Sequence, residues 1–217
     1  VDNVIPELVA ELEAGSDCGV FGIRGYRPIS VSLISATSVN TMPTSANPAN
    51  NALAATAYRK TETRIQLSVR TKLAQGILTS GHPTLKDSLW FGYTQKSFWQ
   101  AANHDASSPF RETNYEPEVM AVMPLKGSLL GVNARFAGLG FVHQSNGQAG
   151  SVSRSWNRTY AQLGIDSGNF SLVGRVWKRV NEAADDDNNP DIVDYMGRGD
   201  LMAAYQWDNG QELSATV

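Results

Sequence analysis

The sequence predicts an all-β protein, a transmembrane antiparallel β-barrel, and three observations support this class. Polar and apolar side chains alternate over long segments, most clearly in residues 62–73, where Ile65, Leu67 and Val69 alternate with polar or charged neighbours. These segments are about 9 to 14 residues long, against about 5 to 6 for an ordinary globular strand, which suits tilted membrane crossings. No run of about 18 apolar residues is present, so strands are the only spanning option.

Composition agrees with this class without proving it. The hydrophobic fraction of 41% and the mean hydropathy of -0.28 are those of a soluble globular protein, but barrels share them because lipid-facing apolar residues alternate with polar interior ones. The net charge of -3 and the pI near 5.6 give no basic cluster of the kind that binds nucleic acid, so that class is excluded. The single cysteine, Cys18, has no internal disulfide partner and is interpreted as a buried or incidental thiol.

The N-terminal region predicts a short amphipathic helix. Ile5, Leu8, Val9 and Leu12 follow helical spacing over residues 3–14, and Gly15 ends the pattern. We therefore divide the chain into an N-terminal segment of periplasmic type, residues 1–28, and a barrel domain, residues 29–217. The first residue is Val1 and no basic and apolar leader follows, which agrees with a removed signal peptide or a trimmed N-terminus.

The remaining elements are all predicted strands. They cover residues 29–37, 62–73, 88–100, 117–125, 130–145, 154–165, 168–181 and 197–208. A short turn at 166–168 contrasts with longer polar loops at 102–116, 146–153 and 182–196, as expected for a barrel with short turns on one side of the membrane. Residues 211–217 read as a strand interrupted in its course. Because an open edge in hydrocarbon leaves backbone groups unsatisfied, we expect C-terminal strands to be missing from this chain.

Most catalytic and metal motifs are absent from the sequence. It contains no GxSxG, no P-loop and no HExxH, and its three histidines are His82, His104 and His143. The acidic stretch 185–191 resembles a calcium-binding loop. An EF-hand, however, needs Gly at the position of Pro190 and Glu at the position of Met196. A solvated acidic loop is the favoured interpretation.

One constellation is suited to nucleophilic catalysis. His143 and Ser145 lie two residues apart at the end of a strand, so both side chains point to the same face. Asn157 begins the next strand and, across a hairpin, is placed to support the second imidazole nitrogen. This is the nucleophile, base and orienter arrangement of a serine hydrolase with an amide in place of the usual carboxylate. A His and a Ser at this spacing are also common as simple polar residues, so the pattern alone leaves both interpretations open.

A resemblance to a known family favours the hydrolase. The segment GFVHQSNGQAGSVSRSWNR, residues 140–158, is similar to the active-site hairpin of the outer-membrane phospholipase A family. Three further blocks resemble that family in its own order: YTQKSFWQ at 93–100, SSPFRETNYEP at 107–117 and NPDIVDYMG at 189–197. The resemblance implies a twelve-stranded barrel in the bacterial outer membrane. It also implies hydrolysis of phospholipid acyl esters, with phospholipase A1, A2 and lysophospholipase activity, by a calcium-bound homodimer.

The same resemblance implies roles for individual residues. The catalytic residues fall on His143, Ser145 and Asn157, and the contacts to the active-site Ca2+ fall on Ser107, the Gln148 carbonyl and Ser153. Gln95, a polar residue on an apolar strand face, is implied to pair with its twin across the dimer. From the residues alone, an alternative remains open: if the strand register is shifted by one residue, Gln95 faces the barrel interior.

Two departures from the family bear on function. Gly150 stands where relatives carry an acidic residue, and Asn188 stands where the loop carboxylate that pairs with it is expected. A secondary calcium site is therefore in doubt. The alternative to the enzyme is a non-catalytic outer-membrane barrel, a pore or structural protein with a degenerate site.

Overall fold

The fold of the computed structural model is one curled antiparallel sheet, and the structure describes residues 19–82 and 85–217. Its strands are β1 Ile23–Gly25, β2 Ser30–Ser35, β3 Thr61–Gln75, β4 Ser88–Trp99, β5 Phe110–Leu129, β6 Val132–Ser145, β7 Ser155–Ser167, β8 Phe170–Val180, β9 Gly199–Gln206 and β10 Glu212–Thr216. Within these ranges a short helix, α1, spans Ile192–Met196, and 3-10 turns lie at Pro48–Asn50, His104–Ala106 and Gly150–Val152. The predicted helix over residues 3–14 and Cys18 lie outside the described residues.

Neighbouring strands follow chain order from β3 to β10, and every pair is antiparallel. β1 and β2 share the free edge of β3, β1 beside residues 69–71 and β2 beside residues 61–66. β1 lies within residues 1–28, so part of that predicted segment joins the sheet. In the described ranges, no helix is long and apolar enough to cross a membrane.

The all-β antiparallel class and the order of the strands are as predicted, but the limits of β5 are not. We expected a strand over 117–125 after a loop over 102–116, whereas β5 runs from Phe110 to Leu129. The residues that led to the error are charged side chains within the strand. Glu116 is a strand residue that is buried on the concave face and paired with Lys96 at 2.9 Å, so a charged stretch typical of a loop is in fact the inner face of a strand.

The two faces of the sheet differ in chemistry. The concave face buries polar and charged side chains, among them Gln66, Ser68, Arg70, Lys72, Thr94, Glu116, Glu118, Arg158 and Gln162. The convex face exposes large apolar ones, among them Leu67, Phe91, Val119, Leu139, Phe141, Leu163 and Val176. A polar interior and an apolar exterior are the reverse of the arrangement in a water-soluble protein. This arrangement is typical of a barrel in a lipid bilayer.

Ion pairs on the concave face connect distant parts of the sheet. Arg27 donates to Glu116 at 3.3 Å and to Glu118 at 3.1 Å, and Tyr26 and Tyr160 both donate their hydroxyls to Glu118. Buried charges are tolerated only when they are paired and hydrogen-bonded. The concave face is therefore lined by a connected polar network that joins β5 and β7 to the connection between β1 and β2.

Candidate active site

His143 and Asn157 face each other across the hairpin of β6 and β7, at the end of the sheet that carries the long connections. They are direct partners in the strand register, and Ser145 is the partner of Ser155 two positions further on. All lie on odd-numbered positions, the face that also exposes Leu139 and Phe141. The candidate residues therefore lie on the convex, apolar face and not in the interior.

The imidazole of His143 is held by the amide of Asn157. His143 Nδ1 and Asn157 Oδ1 lie 2.8 Å apart, and both residues are half-buried. An amide oxygen only accepts hydrogen bonds, so this contact places the imidazole proton on Nδ1. Nε2 is then left with a free lone pair, which is the tautomer that a general base needs.

Ser145 lies on the same strand and face, two residues beyond His143. Its Oγ accepts a hydrogen bond from the Gly147 backbone N–H at 3.2 Å. Within the described part of the chain, no hydrogen bond joins Ser145 to His143. Bonds between nucleophile and base commonly tighten only when substrate is bound, so this geometry is compatible with Ser145 as the nucleophile.

Gly147 allows the chain to turn directly after Ser145. Its φ is +65°, and a Cβ at this position would lie 2.5 Å from Cε2 of Tyr115. Tyr115 is the partner of Ser145 in the pairing of β5 with β6. A side chain at residue 147 would therefore be strained and would displace the ring that packs beside the nucleophile.

The loop after Ser145 is shaped by two residues that sequence reasoning missed. Asn146 is buried, accepts from the backbone N–H groups of Gln148 at 3.2 Å and Arg154 at 2.9 Å, and donates to the Val152 carbonyl at 2.9 Å. The Arg154 guanidinium donates to the Ser153 carbonyl at 2.7 Å. An Asn that directly follows a strand and precedes Gly is a known turn signal, which would have found Asn146.

The three residues implied as calcium contacts lie on two connections. Gln148 and Ser153 share the β6–β7 loop, and Ser107 follows the 3-10 turn between β4 and β5 with a φ of +61°. Among the described residues, the Ser153 hydroxyl and the Gln148 carbonyl make no hydrogen bond that would compete with an ion. Hydroxyl and carbonyl oxygens are hard donors that suit Ca2+, so these residues fit the ion in chemistry. No group of three or more His, Cys, Asp or Glu in the described ranges forms an alternative metal site.

The acidic loop is only in part solvated. Asp185 and Asp186 are exposed as expected. Asp187 is buried, and its carboxylate accepts hydrogen bonds from both terminal nitrogens of Arg179, at 2.8 and 2.6 Å. Burial alone would raise the pKa of Asp187, but the hydrogen bonds from Arg179 and from the Asn189 N–H outweigh it and hold this pKa below its usual range. Asp187 is therefore a structural ion pair, and the prediction of a fully solvated loop is wrong at this residue.

Asn188 takes part in the same loop architecture. Its Oδ1 accepts from the Ser155 N–H at 2.7 Å, and its carbonyl accepts from the Ser45 hydroxyl at 3.0 Å. The amide therefore helps to position the start of β7.

Gln95 lies on the convex face of β4, so the alternative of an interior position is wrong. Its Oε1 accepts from the Tyr93 hydroxyl at 3.0 Å, and its Nε2 donates to Ser97 Oγ at 3.2 Å. Thr113 on β5 also donates to Ser97, at 3.1 Å. A short polar strip thus interrupts the apolar face near the site.

Glu182 is a further residue that the sequence did not reveal. Asn157 Nδ2 donates to its Oε1 at 2.8 Å. Glu182 is 25 residues away in sequence, and no motif connects the two.

Comparisons with known proteins identify the family of this chain. The sequence model of the phospholipase A1 family matches residues 7–217. The phospholipase A1 of Klebsiella pneumoniae is 42% identical over 148 residues, which are 68% of this chain and 49% of that protein. The outer membrane phospholipase A structure from Escherichia coli superposes with a TM-score of 0.75 at 31% identity, covering 98% of this chain and 75% of that one. The Salmonella typhi outer membrane phospholipase dimer with bound calcium gives a TM-score of 0.75 at 32% identity, covering 99% and 76%.

The fold and these comparisons define an outer-membrane β-barrel protein of bacteria, as the resemblance predicted. The chain belongs to the phospholipase A1 family. It spans about half the length of the curated relatives it matches, or less.

Proposed function

We propose that the protein carrying this chain is a calcium-dependent phospholipase of the outer membrane, which hydrolyses phospholipid acyl esters with phospholipase A1, A2 and lysophospholipase activity. The observation that carries the proposal is the 2.8 Å contact between His143 Nδ1 and Asn157 Oδ1 beside Ser145. The contact lies on an apolar face, which a lipid substrate reaches from within the bilayer.

In the proposed mechanism, Ser145 is the nucleophile. His143 Nε2 takes the hydroxyl proton as Oγ attacks the ester carbonyl carbon, and the imidazolium then gives this proton to the leaving alcohol. A water molecule, deprotonated in its turn by His143, releases the fatty acid from Ser145. Asn157 keeps the ring in the required tautomer throughout.

Calcium is assigned to Ser107, the Gln148 carbonyl and Ser153. When bound, the ion would supply positive charge that stabilises the developing oxyanion. We place Ser107 on one protomer and the other two ligands on its twin, so that the active form is a homodimer with Gln95 at its interface. The support is the Salmonella typhi relative, whose structure is a dimer with bound calcium. We also propose that the chain consists of an N-terminal segment, residues 1–28, and a barrel domain, residues 29–217, with β1 of the segment paired to β3 of the barrel.

The non-catalytic alternative loses support from two observations. A degenerate site has no need to keep the His143–Asn157 pair in hydrogen-bonding geometry. A pore needs an open interior, and the ion pairs of Arg27 with Glu116 and Glu118 place bulky side chains on the concave face that narrow this space. Gly150 remains the one feature in its favour, and its position on the exposed loop leaves the His143–Asn157 contact intact.

Fatty-acid release from phospholipid and detergent micelles tests the proposal. The full-length protein is assayed with calcium and with a chelator, and Ser145→Ala is the matched variant. We expect release with calcium only and none from Ser145→Ala. Calcium-independent release by both proteins, or no release by a correctly folded protein in calcium, would contradict the proposed function.

A further inference from the structure

The Asn157 amide is engaged at both ends. Its oxygen meets His143 and its nitrogen donates to Glu182 Oε1, each at 2.8 Å. We propose that Glu182 is a positioning residue of this site, the outermost member of a hydrogen-bonded chain from Glu182 through Asn157 and His143 towards Ser145. This inference rests on the proposed function.

Strand pairing brings Glu182 to the site. Asn157 is the register partner of Val180, the last residue of β8, and Val180 is exposed on the convex face. Glu182 follows two residues later and is half-buried beside the amide. Arg179 donates both of its terminal nitrogens to Asp187, which leaves the Glu182 carboxylate to Asn157.

The carboxylate gives the hydrogen-bonded chain a direction. A carboxylate only accepts hydrogen bonds, so the Asn157 NH2 must face Glu182 and the Asn157 amide oxygen must face His143. That oxygen in turn requires the proton on His143 Nδ1 and leaves Nε2 as the acceptor. Without Glu182, a half-turn of the amide would present NH2 to Nδ1 and favour the opposite tautomer, with a proton on Nε2 and no base for Ser145.

The carboxylate also supplies the charge that the amide lacks. A hydrogen-bonded acid beside the catalytic histidine stabilises the imidazolium that forms when the nucleophile is deprotonated, and a neutral Asn157 does this only weakly. Hydrogen bonds to an ionised acceptor are about twice as strong as neutral ones. Glu182 thus places a negative charge on the far side of Asn157 from His143. Its hydrogen bond to the Asn157 NH2 makes the amide oxygen that faces His143 more negative. The Arg179 guanidinium interacts electrostatically with Glu182, but its two terminal nitrogens donate their hydrogen bonds to Asp187.

Kinetics of Glu182→Gln and Glu182→Ala in the full-length, calcium-loaded protein test the inference. We expect kcat to fall by about tenfold for Ala and less for Gln, which keeps an acceptor, with KM unchanged because no substrate contact is lost. Asp185→Asn, an exposed change of equal charge on the same loop, is the control and should match wild type. An unchanged kcat in both Glu182 variants, or a change in KM alone, overturns the inference.

A double-mutant cycle separates positioning from a structural role. If Glu182 acts through Asn157, Glu182→Gln should have no further effect on kcat in an Asn157→Ala background. An equal fall in both backgrounds would show that Glu182 acts by another route. Glu182→Gln keeps the shape of the side chain, so it remains decisive where the Ala variant does not fold.

Nitrogen NMR of the imidazoles measures the His143 tautomer directly, so this test of Glu182 does not depend on an activity assay. In a 15N-histidine-labelled protein, comparison of wild type with His143→Gln assigns the two nitrogen signals of His143. We expect protonated Nδ1 in wild type and a larger share of protonated Nε2 in Glu182→Gln. An unchanged tautomer overturns the inference, whereas hydrolysis that survives Ser145→Ala overturns the proposed function alone.

Discussion

Arg154 donates a guanidinium N–H to the carbonyl of Ser153 at 2.7 Å and holds the neighbouring Ser151 carbonyl at 3.1 Å from the same nitrogen. Its other terminal nitrogen donates to the Asn50 carbonyl at 2.6 Å. One side chain therefore ties the loop that carries the proposed calcium ligands to the connection between β2 and β3. A planar fork is needed for such a set of contacts, and lysine does not provide it.

Arg154→Lys should consequently weaken calcium binding more than it weakens the fold. We expect the calcium concentration for half-maximal activity to rise by about tenfold, the lower end of the loss of metal affinity when a residue that supports the ligands is changed. The measurement is a calcium titration of hydrolysis, with heat-modified gel mobility as the check on folding. Arg198→Lys, an exposed residue paired with Asp194, is the control, and an equal shift in that variant would contradict the assignment.

The catalytic residues should respond unequally to truncation. Ser145→Ala removes the nucleophile and should abolish hydrolysis with folding intact, since it deletes one hydroxyl from an outer wall position. Asn157→Ala should keep partial activity, because a neutral amide contributes orientation rather than a full charge. Single-turnover fatty-acid release measures both variants, and wild-type turnover by Ser145→Ala would show that another group is the nucleophile.

The fold was largely predictable because strand alternation is a local property of the chain. β3 and β4 were predicted from their apolar parity. His143, Ser145 and Asn157 were assigned through the resemblance of residues 140–158 to a family hairpin, because a His and a Ser two residues apart left both interpretations open. β5 was shortened because Glu116 reads as a loop residue until its partners Lys96 and Arg27 are known. Glu182 was missed for the same reason: its contact with Asn157 depends on the register between β7 and β8, which local sequence does not encode.

The ion pair of Asp187 predicts a pH-dependent stability of the long loop over residues 181–198. Its pKa is lower in the folded state than in the unfolded chain, so its contribution is complete above about pH 3.9, the usual value for Asp, and is lost as pH falls through the folded value. Asp187→Asn should therefore increase proteolysis of this loop at pH 7, whereas wild type and variant should converge as pH falls below about 3.9. Pulse cleavage with an acid-tolerant protease measures this difference, and Asp186→Asn should show none at either pH.

The polar strip around Gln95 predicts a modest contribution to dimerisation. If the amide meets its twin across the interface, Gln95→Ala should weaken the dimer by about 0.6 to 2 kcal/mol, the range for an intramembrane hydrogen bond. Tyr93→Phe removes the phenol that donates to Gln95 Oε1 and frees this oxygen, so it should not weaken the dimer. Cross-linking across a protein dilution series measures both variants, with Gln211→Ala in the exposed β9–β10 turn as the control. An unchanged dimer in Gln95→Ala would remove this residue from the interface.

Calcium, dimer and activity should be inseparable if one ion is shared between protomers. With Ser107 on one chain and Gln148 and Ser153 on the other, the site is complete only in the dimer, so calcium must favour the dimer by mass action. Chelation should then dissociate and inactivate the protein together. Ser153→Asn keeps an oxygen but moves it outwards by the longer side chain, so it should reduce calcium affinity far more than thermal stability. Cross-linking and hydrolysis are followed across the same calcium titration and should rise in parallel. A fully active monomer, or a dimer fully active in chelator, would refute the shared site.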